Sequence, residues 1–187
     1  MSDMEILESL FKAEVRIPTR EEHYKTVAEL HEPQAADSVV KILGLPSDAF
    51  IIKADCFSSS NKVFTGSKGE CKRADFIVIS ELKKSILYIE LKKTTKDLTH
   101  ITQQLAGAKC FIEYCRAVVK WFWEDHSFLE KYKERYVCFG HTGTSSKKRP
   151  TRAKNQQVCH ETPNKAQRID WPSERGIYFS KLMGVYN

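Results

Sequence analysis

The sequence predicts a single α/β domain built around a short β-hairpin and a long amphipathic helix. Residues 71–94 contain two segments rich in β-branched and aromatic residues, joined by the polar turn 81–84, which is typical of a β-hairpin. Residues 98–122 show regular helical spacing of apolar side chains, and residues 135–141 again have a strand pattern. A length of 187 residues is sufficient for one domain with a substantial core.

The first 31 residues are predicted as a helical extension of this domain. Apolar residues recur at helical spacing over residues 3–15. Thr19 and Glu22 have the spacing of a capping box, which predicts a second helix that runs to about Leu30. A third helix is predicted over residues 36–43, because a proline precedes it and Gly44 follows its last apolar residue.

The central part of the chain predicts three strands, a helix and a fourth strand. Residues 50–57 have the composition of a first strand, and a polar loop rich in Ser, Gly and Lys follows. This loop is interpreted either as a contact to a phosphate backbone, through its amides and Lys62 or Lys68, or as a long hairpin connection. Residues 127–134 predict a further helical turn before the fourth strand. The long helix has one apolar stripe for packing on the sheet, formed by Leu98, Ile101, Leu105, Ala108, Ile112, Cys115, Val119 and Phe122.

Acidic and basic side chains share one face of the predicted hairpin. Side chains alternate along a strand, so Tyr88, Glu90 and Lys92 point to the same face. If the hairpin closes symmetrically, Ser80 pairs with Ser85, and counting back places Asp75 opposite Glu90. Any even-length turn keeps Asp75 on this face, although its direct partner can shift by two residues.

Two carboxylates on a half-buried face require a compensating cation, because like charges on opposed residues are destabilising. Mg²⁺ is a suitable one, since it binds one or two carboxylates and leaves positions for water and phosphate. Lys92, two residues after Glu90, is placed to orient a water or to stabilise a developing negative charge.

Asp75, followed after a turn by Glu90-Leu91-Lys92, resembles the signature of the PD-(D/E)XK, restriction-endonuclease-like nuclease superfamily. The resemblance implies a core of helix, three-stranded meander, helix and strand over residues 32–141. It also implies a Mg²⁺- or Mn²⁺-dependent nuclease that hydrolyses phosphodiester bonds, with DNA favoured over RNA as substrate. Ala74 stands where the family often has proline.

The resemblance assigns roles to individual residues. The implied metal ligands are the side chains of Asp75, Glu90 and Glu32 and the backbone carbonyl of Leu91. Glu29 and Asp37 are alternatives to Glu32. Lys92 is expected to position the attacking water. Gln104, with Gln103 as its alternative, is expected to reach the site from the long helix, although Ala108 stands where some relatives have a tyrosine.

The charge of the chain is unevenly distributed. Residues 1–40 contain four Lys or Arg and nine Asp or Glu, a net charge of −5, which leaves +11 for the remainder of a chain whose total is +6. A basic working face is therefore expected, with chance scatter of surface charge as the alternative. The predicted nucleic-acid contacts are Lys68, Lys72, Arg73, Lys147, Lys148, Arg149, Arg152 and Lys154.

Five of these cations crowd into residues 142–160, a polar stretch that contains no acidic residue. This stretch is predicted as a mobile loop that contacts the phosphate backbone. A nuclear-import signal and a solvated loop without function are the alternatives. The tail, residues 142–187, is expected to end in a strand over residues 176–183.

The six cysteines show no CxxC pair, and several lie within apolar strand or helix patterns. This usage indicates free thiols in a reducing compartment, the cytoplasm or the nucleus. Cys138, His141, Cys159 and His160 have a spacing that matches no common zinc motif. No apolar run is long enough to cross a membrane, and no signature of a nucleophilic Ser or Cys is present.

A different class of function stays open at this point. The same fold can serve as a catalytically inactive or partner-dependent module that binds nucleic acid or acts as a scaffold. A homodimer or a larger complex is also considered, because one site cuts only one strand.

Overall fold

The computed structural model describes residues 1–31, 39–57, 62–141, 159–172 and 176–184. These residues form a mixed α/β domain with a six-stranded and a four-stranded sheet. The larger sheet has the spatial order β1 (Arg16–Ile17), β5 (Phe50–Lys53), β6 (Phe76–Ser80), β7 (Ser85–Thr94), β8 (Lys133–His141), β9 (Gln167–Ile169). The smaller sheet has the order β10 (Ile177–Tyr178), β4 (Val39–Leu43), β3 (Lys25–His31), β2 (Arg20–Glu22). The described α-helices are α1 (Asp3–Leu10), α2 (Leu98–Phe122) and α3 (Phe179–Leu182).

The central hairpin has the predicted register. β6 and β7 are antiparallel, and Ser80 pairs with Ser85 across the turn. β5 pairs antiparallel with β6, so that β5, β6 and β7 form the predicted meander. β7 pairs parallel with β8, which requires the crossover that α2 provides.

The prediction of the long helix is confirmed over residues 98–122. Its first turn is capped by Asp97, whose side chain accepts a hydrogen bond from His100 N at 2.9 Å. The middle of the predicted stripe is buried against the larger sheet, but Leu98 and Phe122 at the two ends are exposed. Close packing on the sheet therefore begins at Ile101 and ends at Val119.

Helix α1 is shorter than predicted. It begins with a capping box between Ser2 and Glu5 and ends at Leu10, because the chain turns into extended backbone at Phe11. Ile6 and Leu7 are fully buried, on the same side of the larger sheet as α2.

The helices predicted over residues 19–30 and 36–43 are wrong. Residues 20–31 form the hairpin of β2 and β3, and the described part of the third helix is strand β4. Glu22 pairs with Lys25, and the intervening His23 and Tyr24 both have positive φ, which is the geometry of a tight two-residue loop. Among the described residues 1–31, helical structure is therefore limited to α1 and a short 3-10 turn at Ala13–Val15.

The smaller sheet covers the face of the larger sheet that is opposite to α2. Between the sheets lies a second apolar core, to which β6 and β7 contribute Phe76, Val78, Leu87 and Ile89. The strand predicted over residues 176–183 is present only at residues 177–178, where β10 pairs with β4, and the chain then enters α3.

Two shorter predictions also differ from the structure. Residues 54–56, predicted as strand, form a 3-10 turn, and residues 127–132 form turns without the predicted helix before β8 begins. Within the described ranges, no helix combines the length and the apolar character needed to cross a membrane.

Candidate active site

The end of β7 places a buried carboxylate next to an ammonium group. Tyr88 lies in the core beneath α2, and Glu90, two residues further on the same face, is fully buried. Lys92 Nζ lies 2.8 Å from Glu90 Oε1, and 28% of the lysine side chain is exposed. Because a buried charge is strongly destabilising without a partner, the ion pair with Lys92 offsets part of the cost of burying this carboxylate.

Asp75 lies at the point where the ladder between β6 and β7 ends. Phe76 pairs with Ile89, so that Asp75, the preceding residue, lies beside Glu90 as the sequence predicted. The side chain continues the hydrogen bonding of the strand: its Oδ2 accepts from Leu91 N at 2.6 Å. Asp75, Glu90 and the backbone of Leu91 are therefore brought together at one end of the hairpin.

An irregularity in β7 sets the position of Lys92. Leu91 pairs with Phe139 and Thr94 with His141, so that β7 has one extra residue opposite Gly140. A Cβ atom on Gly140 would lie 2.3 Å from Lys92 O, so that only glycine permits this close approach of the two strands. β-bulges commonly redirect a side chain beside an active site.

Helix α2 holds the chain segment that leads into Asp75. Gln104 Nε2 donates to Arg73 O at 3.3 Å, and Gln103 bonds to Lys72 Nζ at 2.6 Å and to Lys68 O at 2.9 Å. At Gly107 the backbone packs so closely that a Cβ atom would lie 1.8 Å from Lys72 O. The glutamines and this glycine position the segment of residues 68–73.

The side-chain oxygen of Gln104 accepts no hydrogen bond from any described residue. Its Oε1 is buried without a hydrogen-bond partner in the part of the chain that the structure describes. Buried acceptors of this kind are usually satisfied by water or by a bound group. The other end of the same amide, Nε2, donates to the backbone next to the site, so that the two polar atoms of this side chain differ in their partners.

A row of side chains crosses the larger sheet from this point. Glu90 pairs with Cys138 on β8, and Cys138 pairs with Arg168 on β9, so that the three share one face. Burial raises the pKa of the Cys138 thiol to about 12, and the nearby charge of Glu90 adds to the shift. Arg168 is exposed and adds a cation on the side of the sheet where the carboxylates lie. No local sequence pattern indicates this arginine, because its position depends on the register of parallel strands.

His100 is a second residue that the sequence did not indicate. Partial burial lowers its pKa, and the positive charges of Lys92 and Lys72 lower it further. The imidazole is therefore neutral at neutral pH and lies in a cationic environment near the candidate site. Its place in the first turn of α2, three residues after the cap Asp97, is the signal that could have found it.

The structure describes only part of the predicted nucleic-acid surface. Lys68, Lys72 and Arg73 lie in the segment that is docked on α2. Six predicted residues lie outside the described residues: Glu32, Lys147, Lys148, Arg149, Arg152 and Lys154. Asp37, an alternative to Glu32, also lies outside them. Glu29, the other alternative, is in the smaller sheet and forms an ion pair with Arg20 at 2.5 Å.

The donor atoms near Asp75 are those that Mg²⁺ prefers. Within the described ranges, no three His, Cys, Asp or Glu side chains cluster closely enough to form a metal site by themselves. Mg²⁺ typically needs only one or two carboxylates and completes its coordination with water and substrate phosphate. The carboxylates of Asp75 and Glu90 and the carbonyl of Leu91 satisfy that requirement in ligand type.

All six cysteines are free thiols, as expected from the sequence, and Cys138 is buried. A ring nitrogen of His160 lies 2.7 Å from Leu182 O, in the buried C-terminal part of the chain.

Comparison of the chain with known protein families, with curated proteins and with solved structures finds no match.

Proposed function

We propose that this chain is a metal-dependent nuclease of the PD-(D/E)XK type that hydrolyses phosphodiester bonds, with DNA as the favoured substrate. The observation that supports it is the position of Asp75, Glu90 and Lys92 around one end of the β6–β7 hairpin. The order of meander, α2 and parallel strand β8 agrees with a restriction-endonuclease-like core.

In this proposal each residue has a defined task. Asp75, Glu90 and the Leu91 carbonyl hold Mg²⁺ or Mn²⁺, and Glu32 is the proposed additional ligand. The bound metal supplies a water of lowered pKa and positive charge beside the phosphate. Lys92 orients the attacking water and stabilises negative charge that develops on the phosphate oxygens. Gln104 positions the backbone that precedes Asp75 and offers its Oε1 to water.

Cations around the site are proposed to bind the phosphates of the substrate. Lys68, Lys72 and Arg73 lie beside α2, and Arg168 lies on the neighbouring strand β9. Residues 147–154 supply five further cations to the proposed surface. The free thiols agree with a reducing compartment, the cytoplasm or the nucleus.

The test is cleavage of supercoiled plasmid and of labelled single-stranded DNA and RNA with Mg²⁺, Mn²⁺ or EDTA. We expect metal-dependent cleavage by the wild-type protein and a loss of at least about a hundredfold in Asp75→Asn and Lys92→Met, since metal and lysine act as a unit. Glu130→Gln, an exposed acidic residue in the turns after α2, is the matched control and should retain full activity.

A second candidate function is a nucleic-acid-binding scaffold, alone or in a larger complex. The Glu90–Lys92 ion pair favours it, because a carboxylate paired with lysine is also stable without a metal. Binding of nucleic acid without cleavage under every metal condition would support the scaffold and overturn the nuclease. Cleavage that persists in both Asp75→Asn and Lys92→Met would overturn the proposed site.

A further inference from the structure

Phe57 and two residues of α2, Phe111 and Tyr114, form a partly exposed aromatic surface, which we call the aromatic platform. The ring of Phe57 lies 4.7 Å from that of Phe111 and 6.0 Å from that of Tyr114, measured between ring centroids. Phe111 is buried, whereas 38% of Phe57 and 57% of Tyr114 are exposed. Large exposed apolar patches are rare on monomeric proteins. Where exposed aromatic rings contact each other, as here, they therefore indicate a binding surface.

The platform is next to positive charge. The guanidinium carbon of Arg73 lies 5.7 Å from the centroid of the Phe57 ring, a cation–π distance. Lys72 precedes Arg73, and Lys68 lies in the same docked segment. Aromatic rings interleaved with cations are the combination that binds nucleic-acid strands through base stacking and phosphate contacts.

The platform and the candidate active site are connected through Arg73 and through one face of α2. Arg73 is two residues before Asp75, and its carbonyl accepts the hydrogen bond from Gln104. Gln104, Gly107, Phe111 and Tyr114 follow a spacing of three, four and three residues, so that they form one stripe on the helix. At a rise of 1.5 Å per residue, Tyr114 lies about 15 Å along the helix from Gln104. A strand that enters the site can therefore reach the platform within a few nucleotides.

We propose that the platform binds unpaired bases and that the substrate class of the site is single-stranded nucleic acid. This inference rests on the proposed nuclease function, since it names the substrate of that site. A duplex does not fit this surface, because its bases already stack on each other and present only their edges and phosphates. Unpaired bases have free π-faces, and aromatic side chains stack on them with little dependence on sequence.

The test is the binding of fluorescently labelled 20-nucleotide strands, measured by anisotropy in EDTA so that no cleavage takes place. The probes are oligodeoxythymidine, oligouridine, an abasic deoxyribose-phosphate strand of the same length, and a 20-base-pair duplex. The abasic strand keeps the phosphates but lacks the bases, so that it separates stacking from electrostatic attraction. The variants are Tyr114→Ala and, as a matched control, Trp121→Ala, which removes an exposed aromatic ring at the far end of α2.

We expect the wild-type protein to bind oligodeoxythymidine or oligouridine at least about fivefold more tightly than the abasic strand, since stacking is worth at least about that factor per base. Tyr114→Ala should lose this advantage, whereas Trp121→Ala should keep it. The preferred strand distinguishes DNA from RNA. Equal affinity for base-containing and abasic strands, or an unchanged preference in Tyr114→Ala, would overturn the inference.

The binding and cleavage assays distinguish a failure of the proposed nuclease function from a failure of this inference. Metal-dependent cleavage without a stacking preference retains the nuclease and removes the single-strand substrate class. Base-dependent binding without cleavage under any metal retains the platform and removes the nuclease. A platform that instead binds a protein would show no discrimination between the four nucleic-acid probes, which also overturns the inference.

Discussion

Replacing Lys92 with methionine should destabilise the protein through the charge it leaves behind. Glu90 is fully buried, and Lys92 Nζ is its counter-charge at 2.8 Å. Removing one partner of a buried ion pair costs about 3–5 kcal/mol. Because 28% of the lysine side chain is exposed, water partly screens this pair, and we expect a loss of about 2–3 kcal/mol. For a chain of this length that corresponds to a decrease in Tm of roughly 5–10 °C.

Chemical denaturation of Lys92→Met, Glu90→Gln and the double variant measures this coupling. The double variant should be more stable than Lys92→Met by about 1–3 kcal/mol, because the uncompensated charge is absent. Lys93→Met removes a neighbouring exposed lysine and should change stability by less than about 0.5 kcal/mol. A saturating divalent metal should stabilise Lys92→Met, since it replaces the missing positive charge. The reasoning is refuted if Lys92→Met is as stable as Lys93→Met, or if adding Glu90→Gln does not improve it.

Two further predictions concern packing next to the site. Gly107→Ala places a Cβ atom 1.8 Å from Lys72 O, so that α2 must move away from the segment before Asp75; a lower Tm and a loss of nuclease activity are expected from thermal melting and cleavage assays. Alkylation with iodoacetamide at pH 8, followed by mass spectrometry, should label the exposed Cys110 and spare Cys138, whose pKa is raised to about 12 by burial. Rapid labelling of Cys138 in the folded protein would contradict the buried position beside Glu90.

Sequence patterns predicted the elements in which the local signal and the final fold agree. Both strands of the central hairpin are rich in β-branched and aromatic residues and flank a polar turn, and α2 repeats its apolar residues over many turns. Counting along that hairpin was sufficient to bring Asp75 next to Glu90. These signals are local, so that no knowledge of the rest of the chain was needed.

The N-terminal hairpin could not be predicted in the same way. β3 contains Ala28, Glu29 and Leu30, which are good helix formers, and its short apolar pattern fits a helix as well as a strand. Its tight turn at His23 and Tyr24 has positive φ without the usual Asn or Gly, and therefore gave no hairpin signal. Pairing with β4 and burial against the larger sheet determine the strand.

The same limit applies to the functional residues that depend on distant parts of the chain. Arg168 reaches its place through the parallel register of β8 and β9. The contact of Phe57 with Tyr114 joins the residue after the 3-10 turn at residues 54–56 to the middle of helix α2. No periodic pattern of residues within either segment predicts a contact between the two segments.

The pairing of β10 with β4 has a consequence for synthesis of the chain. β2 is an edge strand of the smaller sheet as far as the chain is described, and it carries Arg20, Glu21 and Glu22, charges that discourage pairing with other molecules. At the opposite edge, the apolar strand β4 pairs with residues 177–178, which are the only residues in the described part of the chain that extend the sheet on this side. Because translation proceeds from the N-terminus, nascent chains display this edge until residues 177–178 have left the ribosome. Chains truncated before Ile177 are therefore expected to associate with one another through β4, whereas chains that contain β10 pair with β4 themselves.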